Sequence, residues 1–128
     1  AGTTLVAVDR GLAVIGAEPE GADDAYRSLT SGYRVTDQAP DTVADGLRTT
    51  LGELNFEIIR EGVSRILTVP DVEIVSAMKM LWTRHKLVVE PSSAVPFAAI
   101  RRYPDIFAGQ RVGVILSGGN VDLATLPF

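Results

Sequence analysis

Short apolar runs that alternate with longer segments of helical periodicity constrain the fold of this chain most. The runs are Leu12–Ala17 (LAVIGA), Ile66–Val69 (ILTV) and Arg111–Leu116 (RVGVIL). The first is entirely apolar and ends at a Glu-Pro pair, which is typical of a strand buried on both faces. Alternating strands and helices predict an α/β domain with an open, twisted and mainly parallel sheet flanked by helices.

Four segments around these runs predict helices. The most periodic one has apolar residues at three- and four-residue spacing from Ile74 to Trp82, and the lone His85 falls on the same stripe. We therefore expect His85 to be a core or boundary residue rather than a ligand. The predicted helices run from Asp23 or Asp24 to Leu29, from Leu54 to Val63, from an Asp71 cap to Glu90-Pro91, and from Ser92 or Ser93 to about Tyr103.

The N-terminal residues favour a piece of a larger protein. Thr3–Asp9 has the character of a helix, and nothing before Ala1 supplies its cap. We expect a domain whose N-terminal part is missing.

Composition narrows the classes of function. With 128 residues and 46% hydrophobic side chains, the chain can bury an ordered core. It has no Cys, which excludes disulfides, a Cys nucleophile and Cys-ligated metals. The net charge is −4 with dispersed basic residues, so we expect no nucleic-acid partner. No apolar run is long enough for a membrane span, and we expect a cytoplasmic protein without a membrane partner.

An acidic turn follows the first predicted strand. It contains Glu18, Glu20, Asp23 and Asp24. Carboxylates and a main-chain carbonyl in a tight turn are the ligands that a hard divalent cation prefers. The alternative is that Asp23 and Asp24 only cap a helix and interact with its dipole.

Two further clusters are candidates for a site. Ser117-Gly-Gly-Asn120 follows the last predicted strand, where open α/β folds bind ligands, although it is equally explained as a plain turn. Glu90 is predicted at the C-terminal end of the long helix, where a carboxylate is unfavourable. It therefore either points to solvent or has a specific partner.

Five blocks occur together and in order, and they cover nearly the whole chain. They are VIGAEPEGADDAYRSL, PDTVADGLRTTLGELNFEIIRE, ILTV, LWTRHKLVVEPSSAVPFAAI and RVGVILSGGNVDL. Together they closely resemble the C-terminal part of the pyridoxal-phosphate-dependent serine racemase and threonine dehydratase family. The resemblance implies the tryptophan-synthase β-like fold, in which two α/β lobes hold the cofactor between them.

The resemblance also implies roles for particular residues. Ser117 looks like the hydroxyl that faces the pyridine nitrogen, and Thr49 matches a position near the substrate carboxylate. The other implied positions are Gly46, Glu90 and Gly118 in the cofactor pocket, Glu18, the Ala22 carbonyl and Asp24 at a magnesium or calcium site, and Lys86 and Asn120 near a nucleotide effector.

The implied reaction is β-elimination of water and then ammonia from threonine, serine or another 3-hydroxy amino acid, with racemisation as a second outcome. The family's Schiff-base lysine and tetraglycine phosphate cup have no counterpart here, and Lys79 and Lys86 do not lie in that lysine's context. We expect no catalytic residue in this chain, and no activity from it alone. It is expected to form a homo-oligomer or to associate with an N-terminal segment. The alternative is a non-catalytic α/β fragment that binds a divalent cation or a partner.

Overall fold

The computed structural model describes residues 1–128 as an α/β arrangement with a parallel sheet and flanking helices, which confirms the predicted fold class. Short 3-10 turns occur at Glu20–Ala22, Asp45–Leu47 and Leu123–Thr125. The regular elements are α1 (Gly2–Asp9), β1 (Val14–Pro19), α2 (Asp24–Ser31), α3 (Glu53–Gly62), β2 (Val63–Val69), α4 (Asp71–Arg84), α5 (Pro91–Arg102) and α6 (Pro104–Phe107).

The sheet consists of β1 and β2, which pair in parallel with Glu18 opposite Thr68 and Pro19 opposite Val69. Parallel strands place their carboxyl ends at the same edge. The acidic turn after β1 and the start of α4 after β2 therefore lie side by side at this edge.

The core lies between α4, α5 and the sheet. The apolar stripe predicted on α4 is confirmed, because Ile74, Ala77, Met78 and Leu81 are all buried. They pack against α5, whose Ala94, Val95, Ala98 and Ala99 belong to the same cluster. Small residues on α5 let the two helices approach closely. No helix of the structure has the length and apolar character needed to cross a membrane.

The third predicted strand is absent. Residues Arg111–Leu116 form no ladder, and Val112 and Ile115 are 43% and 60% exposed. A strand exists only where a neighbour accepts and donates its backbone hydrogen bonds, and β1 and β2 pair with each other alone. The first strand also differs from its prediction: it begins at Val14, and of its residues only Pro19 is fully buried.

The predicted end of the long helix is wrong. Helix α4 stops at Arg84, so His85 caps it and is exposed rather than part of the core stripe. Glu90 consequently precedes the N-terminus of α5, with Pro91 in the first turn, instead of ending α4. Its carboxylate lies where the helix dipole favours negative charge.

The predicted Asp71 cap is also wrong. Pro70 is the N-cap of α4, and the Asp71 carboxylate accepts hydrogen bonds from a distant loop.

Candidate functional site

The turn at residues 117–120 docks on the N-terminal end of α5. The Glu90 amide donates to the Gly118 carbonyl (3.1 Å), and the Asn120 amide donates to Glu90 Oε2 (2.9 Å). Glu90 therefore has a specific backbone partner, although the helix end on which that expectation rested is wrong. The predicted turn and the predicted carboxylate are therefore in direct contact.

Ser93 secures the same turn, and sequence reasoning had assigned it only a helix start. Its side chain is buried, and Oγ lies 2.6 Å from the Gly118 amide, 2.7 Å from the Gly118 carbonyl and 3.2 Å from Ser117 Oγ. Ser117 itself is exposed. The signal that could have pointed to Ser93 is a hydroxyl in the first turn of the helix, one residue before the apolar run that begins at Ala94.

Two glycines let backbone pass close to these groups. A Cβ added to Gly118 would lie 2.8 Å from Glu90 Oε1, and one added to Gly119 would lie 2.6 Å from the Val88 carbonyl oxygen. The second contact is with backbone, which cannot swing aside. Glycine at this turn is therefore a packing requirement, which the plain-turn interpretation does not need.

A second turn, at Gly46, also contacts the first turn of α5. The Gly46 amide donates to Ser92 Oγ (3.1 Å), and a Cβ at Gly46 would lie 3.0 Å from the same oxygen. Gly46, Glu90, Ser117 and Gly118 were predicted from distant parts of the chain. The structure brings them together around the first turn of α5.

Thr42 and Asp71 hold the loop that carries Gly46, and neither was singled out for this role. Thr42 is 2% exposed, and its hydroxyl donates to Asp71 Oδ1 (2.6 Å). The Val43 amide donates to the other carboxylate oxygen (2.8 Å), while Arg48 donates twice to the Thr42 carbonyl, at 2.8 and 2.5 Å. The loop is therefore anchored to the start of α4.

Thr49 follows this anchored loop but makes no side-chain contact with the glycine turns. It is exposed, and its carbonyl accepts a hydrogen bond from Gln38 Nε2 (3.4 Å). The structure leaves its side chain accessible.

Glu18 and Asp24 lie together behind the acidic turn. Glu18 Oε1 and Oε2 accept from the amides of Ala25 (3.3 Å) and Tyr26 (2.8 Å), so Glu18 caps α2 from the end of β1. Asp24 is 4% exposed and accepts from Gln38 Nε2 (3.1 Å) and the Leu51 amide (2.6 Å). Asp24 therefore does not cap its own helix.

Burial raises the pKa of Glu18 to about 7, and the negative charges of Asp24 and Asp23 act in the same direction. The amides of Tyr26 and Ala25 oppose this rise, because hydrogen bonds to a carboxylate favour its ionised form. Neither Glu18 nor Asp24 forms a salt bridge. The two carboxylates thus form an acidic pair without a cation from the protein.

No group of three or more His, Asp or Glu side chains is arranged to hold a metal ion. A cation at this turn would have to use Glu18, Asp24 and main-chain oxygen. The Ala22 residue between them is 1% exposed. The donor set consists only of oxygen, as a hard divalent cation prefers.

Neither of the two lysines contacts Ser117 or Gly118. Lys79 Nζ lies 5.8 Å from the ring centroid of Phe128, and Lys86 Nζ donates to the Thr83 carbonyl (2.7 Å). Lys86 is exposed and has a positive φ of 59°. The backbone amide of Asn120 donates to Glu90 Oε2. No contact joins the side chains of Lys86 and Asn120.

Comparisons with known proteins show which sequences this chain is similar to. Residues 2–118 match the family model described as "Pyridoxal-phosphate dependent enzyme". The chain is 56% identical over 115 residues to the β-hydroxyaspartate dehydratase of Paracoccus denitrificans, covering 90% of this chain and 36% of the relative. It is 46% identical over 127 residues to a serine racemase of Dictyostelium discoideum, covering 96% and 39%.

Solved structures of similar fold come from proteins of the same kind. Maize serine racemase superimposes with a TM-score of 0.86 at 40% identity, over 95% of this chain and 39% of that one. The T.th. threonine deaminase gives a TM-score of 0.83 at 45% identity, over 91% and 38%. The chain thus spans less than two fifths of the length of each of these relatives.

Proposed function

This chain belongs to the pyridoxal-phosphate dependent enzyme family, and from that membership we propose that it forms one wall of the cofactor site of an ammonia-lyase acting on 3-hydroxy amino acids. The supporting observation is the convergence of Gly46, Glu90, Ser117 and Gly118 on the first turn of α5. The relatives include a β-hydroxyaspartate dehydratase and a threonine deaminase, both named for such substrates. Racemisation is proposed as a second outcome of the same site, because the relatives also include a serine racemase, at 46% identity.

The residues present fit the ring end of pyridoxal phosphate. Gly118 has no side chain of its own, the Glu90 carboxylate lies against it, and Ser117 is an exposed hydroxyl beside it. When bound, the cofactor supplies an electron sink for a substrate that has lost its α-proton. In this proposal Ser117 faces the ring nitrogen, Gly46, Glu90 and Gly118 line the ring, and Thr49 lies near the substrate carboxylate.

Ser117 sets the strength of that sink. A neutral hydroxyl stabilises a protonated ring nitrogen less than a carboxylate does. We therefore expect elimination, in which the β-hydroxyl leaves promptly, to be favoured over transamination. Replacing Ser117 with Asp should raise the protonation of the ring nitrogen and change the product ratio.

The remaining groups of the site come from another segment in this proposal. The contacts of Lys79 and Lys86 lie on α4 and the residues that flank it or at Phe128, and none lies at the glycine turns. The covalent lysine and the phosphate cup are assigned to an N-terminal part, covalently joined or associated. The 128 residues alone should be inactive. The completed enzyme is proposed to be a homo-oligomer in the cytoplasm.

A divalent cation, magnesium or calcium, is proposed at the acidic turn. Glu18 and Asp24 are desolvated and lack a protein cation, and the Ala22 carbonyl lies between them in sequence. A cation that binds only the folded state must raise the melting temperature with its concentration. Equal melting curves in magnesium, calcium and chelator would remove this assignment. Lys86 and Asn120 are proposed near a nucleotide effector on the resemblance alone.

A chimera tests the proposed function. This chain replaces the matching 115 residues of the Paracoccus dehydratase, which restores the rest of the relative's length. The chimera should bind pyridoxal phosphate and release ammonia from 3-hydroxyaspartate, serine or threonine, while the chain alone should do neither. A folded chimera that binds no cofactor would favour the non-catalytic fragment instead.

A further inference from the structure

The segment Thr49–Leu51 has no regular structure, and its backbone makes no hydrogen bond with other backbone groups. Side chains from an earlier part of the chain hold it instead. The Leu51 amide donates to Asp24 Oδ2 (2.6 Å), and the Leu51 carbonyl accepts from Arg34 Nη1 (3.2 Å). Because backbone polar groups in a folded chain need partners, these side chains decide where the segment lies.

Gln38, in the loop that follows α2, orients the Asp24 carboxylate. Its Nε2 donates to Asp24 Oδ1 (3.1 Å), and its Oε1 accepts from Arg27 Nη2 (3.3 Å). A guanidinium only donates, so Arg27 fixes which end of the Gln38 amide faces Asp24. Arg27 is held in turn by Asp23, at 2.8 Å. The buried Asp24 therefore has one oxygen bound by Gln38 and the other by the Leu51 amide.

We propose that Gln38 is a positioning residue, which holds the Asp24 carboxylate in the orientation that binds the Leu51 amide. Through Leu51 it keeps Thr49, two residues earlier, in place for the substrate. This inference rests on the proposed function, which puts Thr49 near the substrate carboxylate. The Thr49 carbonyl oxygen also lies 3.4 Å from Gln38 Nε2, a longer contact on the same segment. Each Asp24 oxygen keeps a second lone pair, so this role is compatible with the proposed cation.

The first arm of the test needs no cofactor and uses the 128-residue chain without added metal. Gln38→Glu keeps the shape but places a carboxylate oxygen against Asp24 Oδ1, where two acceptors of like charge repel. Asp24 should turn away, and hydrogen exchange of the Leu51 amide should accelerate about tenfold or more. Gln110→Glu is the matched control, because it makes the same charge change at an exposed position. Unchanged Leu51 exchange in folded Gln38→Glu would overturn the proposal.

The second arm measures ammonia release by the loaded chimera with magnesium in excess. Gln38→Glu should raise the KM for 3-hydroxyaspartate about tenfold and change kcat less than about twofold, because Thr49 is assigned to a group that binds rather than reacts. The absorbance band of the cofactor should be unchanged, whereas a merely structural role would weaken cofactor binding and kcat together. Gln38→Leu removes the donor without adding a charge. It should raise the KM in the same direction, and it serves if Gln38→Glu does not fold.

The two arms separate the failure of this inference from the failure of the proposed function. If the unmodified chimera binds no cofactor, the proposed function fails, and the substrate role of Gln38 fails with it. If the unmodified chimera is active and both Gln38 variants keep its KM, the proposed function stands and the positioning role of Gln38 is overturned.

Discussion

At the scale of single residues, Glu18 is a carboxylate that folding makes harder to ionise. Its pKa rises from 4.5 to about 7, mainly because burial removes water from the charged form. The sequence placed Glu18 in an acidic turn but could not show that it caps α2, because the cap joins residues seven and eight positions apart. Nor could composition show that Asp24 would turn towards Leu51.

The raised pKa predicts that stability falls as pH rises. Between pH 4.5 and about 7 the folded chain retains a proton on Glu18 that the unfolded chain has released, so raising the pH favours unfolding. The loss levels off about one pH unit above the folded pKa and amounts to about 3 kcal/mol at most. Glu18→Gln should remove this part of the pH dependence in chemical denaturation without added metal.

Glu57→Gln is the matched control, since this carboxylate is exposed on α3. It should retain the decline between pH 4.5 and 7. An unaltered pH profile in Glu18→Gln would show that Glu18 is not the group responsible.

Gly21 is a second residue whose importance only the structure shows. A Cβ at this position would lie 1.8 Å from the Asp41 carbonyl oxygen, and the Gly21 carbonyl accepts from the Asp41 amide (2.8 Å). Gly21→Ala should therefore destabilise the chain by about 2 to 3 kcal/mol. Gly113→Ala, with open space at its Cβ, should change the free energy of unfolding by less than about 0.5 kcal/mol. Equal urea midpoints for the two variants would contradict this account.

At the scale of elements, the periodicity of apolar residues predicts which face of a helix is buried, but not where the helix ends. The α4 stripe from Ile74 to Leu81 could be read from its spacing, because a helix buries one face whatever its neighbours are. Its end could not, since the segment after Arg84 leaves the helix six residues before Pro91. The Asp71 carboxylate was assigned to its own helix, but it is used by the loop at Thr42 and Val43.

That loop gives an element-scale prediction. Thr42→Val keeps the shape but removes the hydroxyl that donates to Asp71 and accepts from the buried Ala44 amide. Leaving buried polar groups without partners should cost about 1 to 3 kcal/mol in urea denaturation. Thr30→Val is the control, since its exposed hydroxyl bonds only within α2. If both variants are equally stable, the Thr42 hydroxyl does not anchor the loop.

At the scale of the whole molecule, several apolar side chains are exposed because no other part of this chain packs against them. Leu5, Val6 and Leu12 at the N-terminal end and Val112 and Ile115 near the other end are 43 to 63% exposed. The sequence predicted a strand at Arg111–Leu116, but hydrogen-bonding neighbours decide whether one forms. The residues of the candidate site could be proposed from the sequence because its blocks resemble a family. Its geometry depends on contacts across 25 or more positions, such as Ser93 with Gly118.

This surface predicts that the isolated chain self-associates. Sedimentation velocity should show a mass that increases with concentration, because exposed apolar groups associate in water. The Paracoccus chimera should cover these side chains and reach one defined mass. A chain that stays monomeric at all concentrations would contradict the prediction.

Titration of the chimera with pyridoxal phosphate, followed by its visible absorbance, tests the central claim most directly. The unmodified chimera should develop a saturable band, and a folded Gly118→Val chimera should lose it, because the added side chain would displace the Glu90 carboxylate from the turn assigned to the ring. Thr30→Val, which changes an exposed hydroxyl on α2, should keep the band. Equal binding by the Gly118→Val chimera would contradict the claim that this turn forms a wall of the cofactor site.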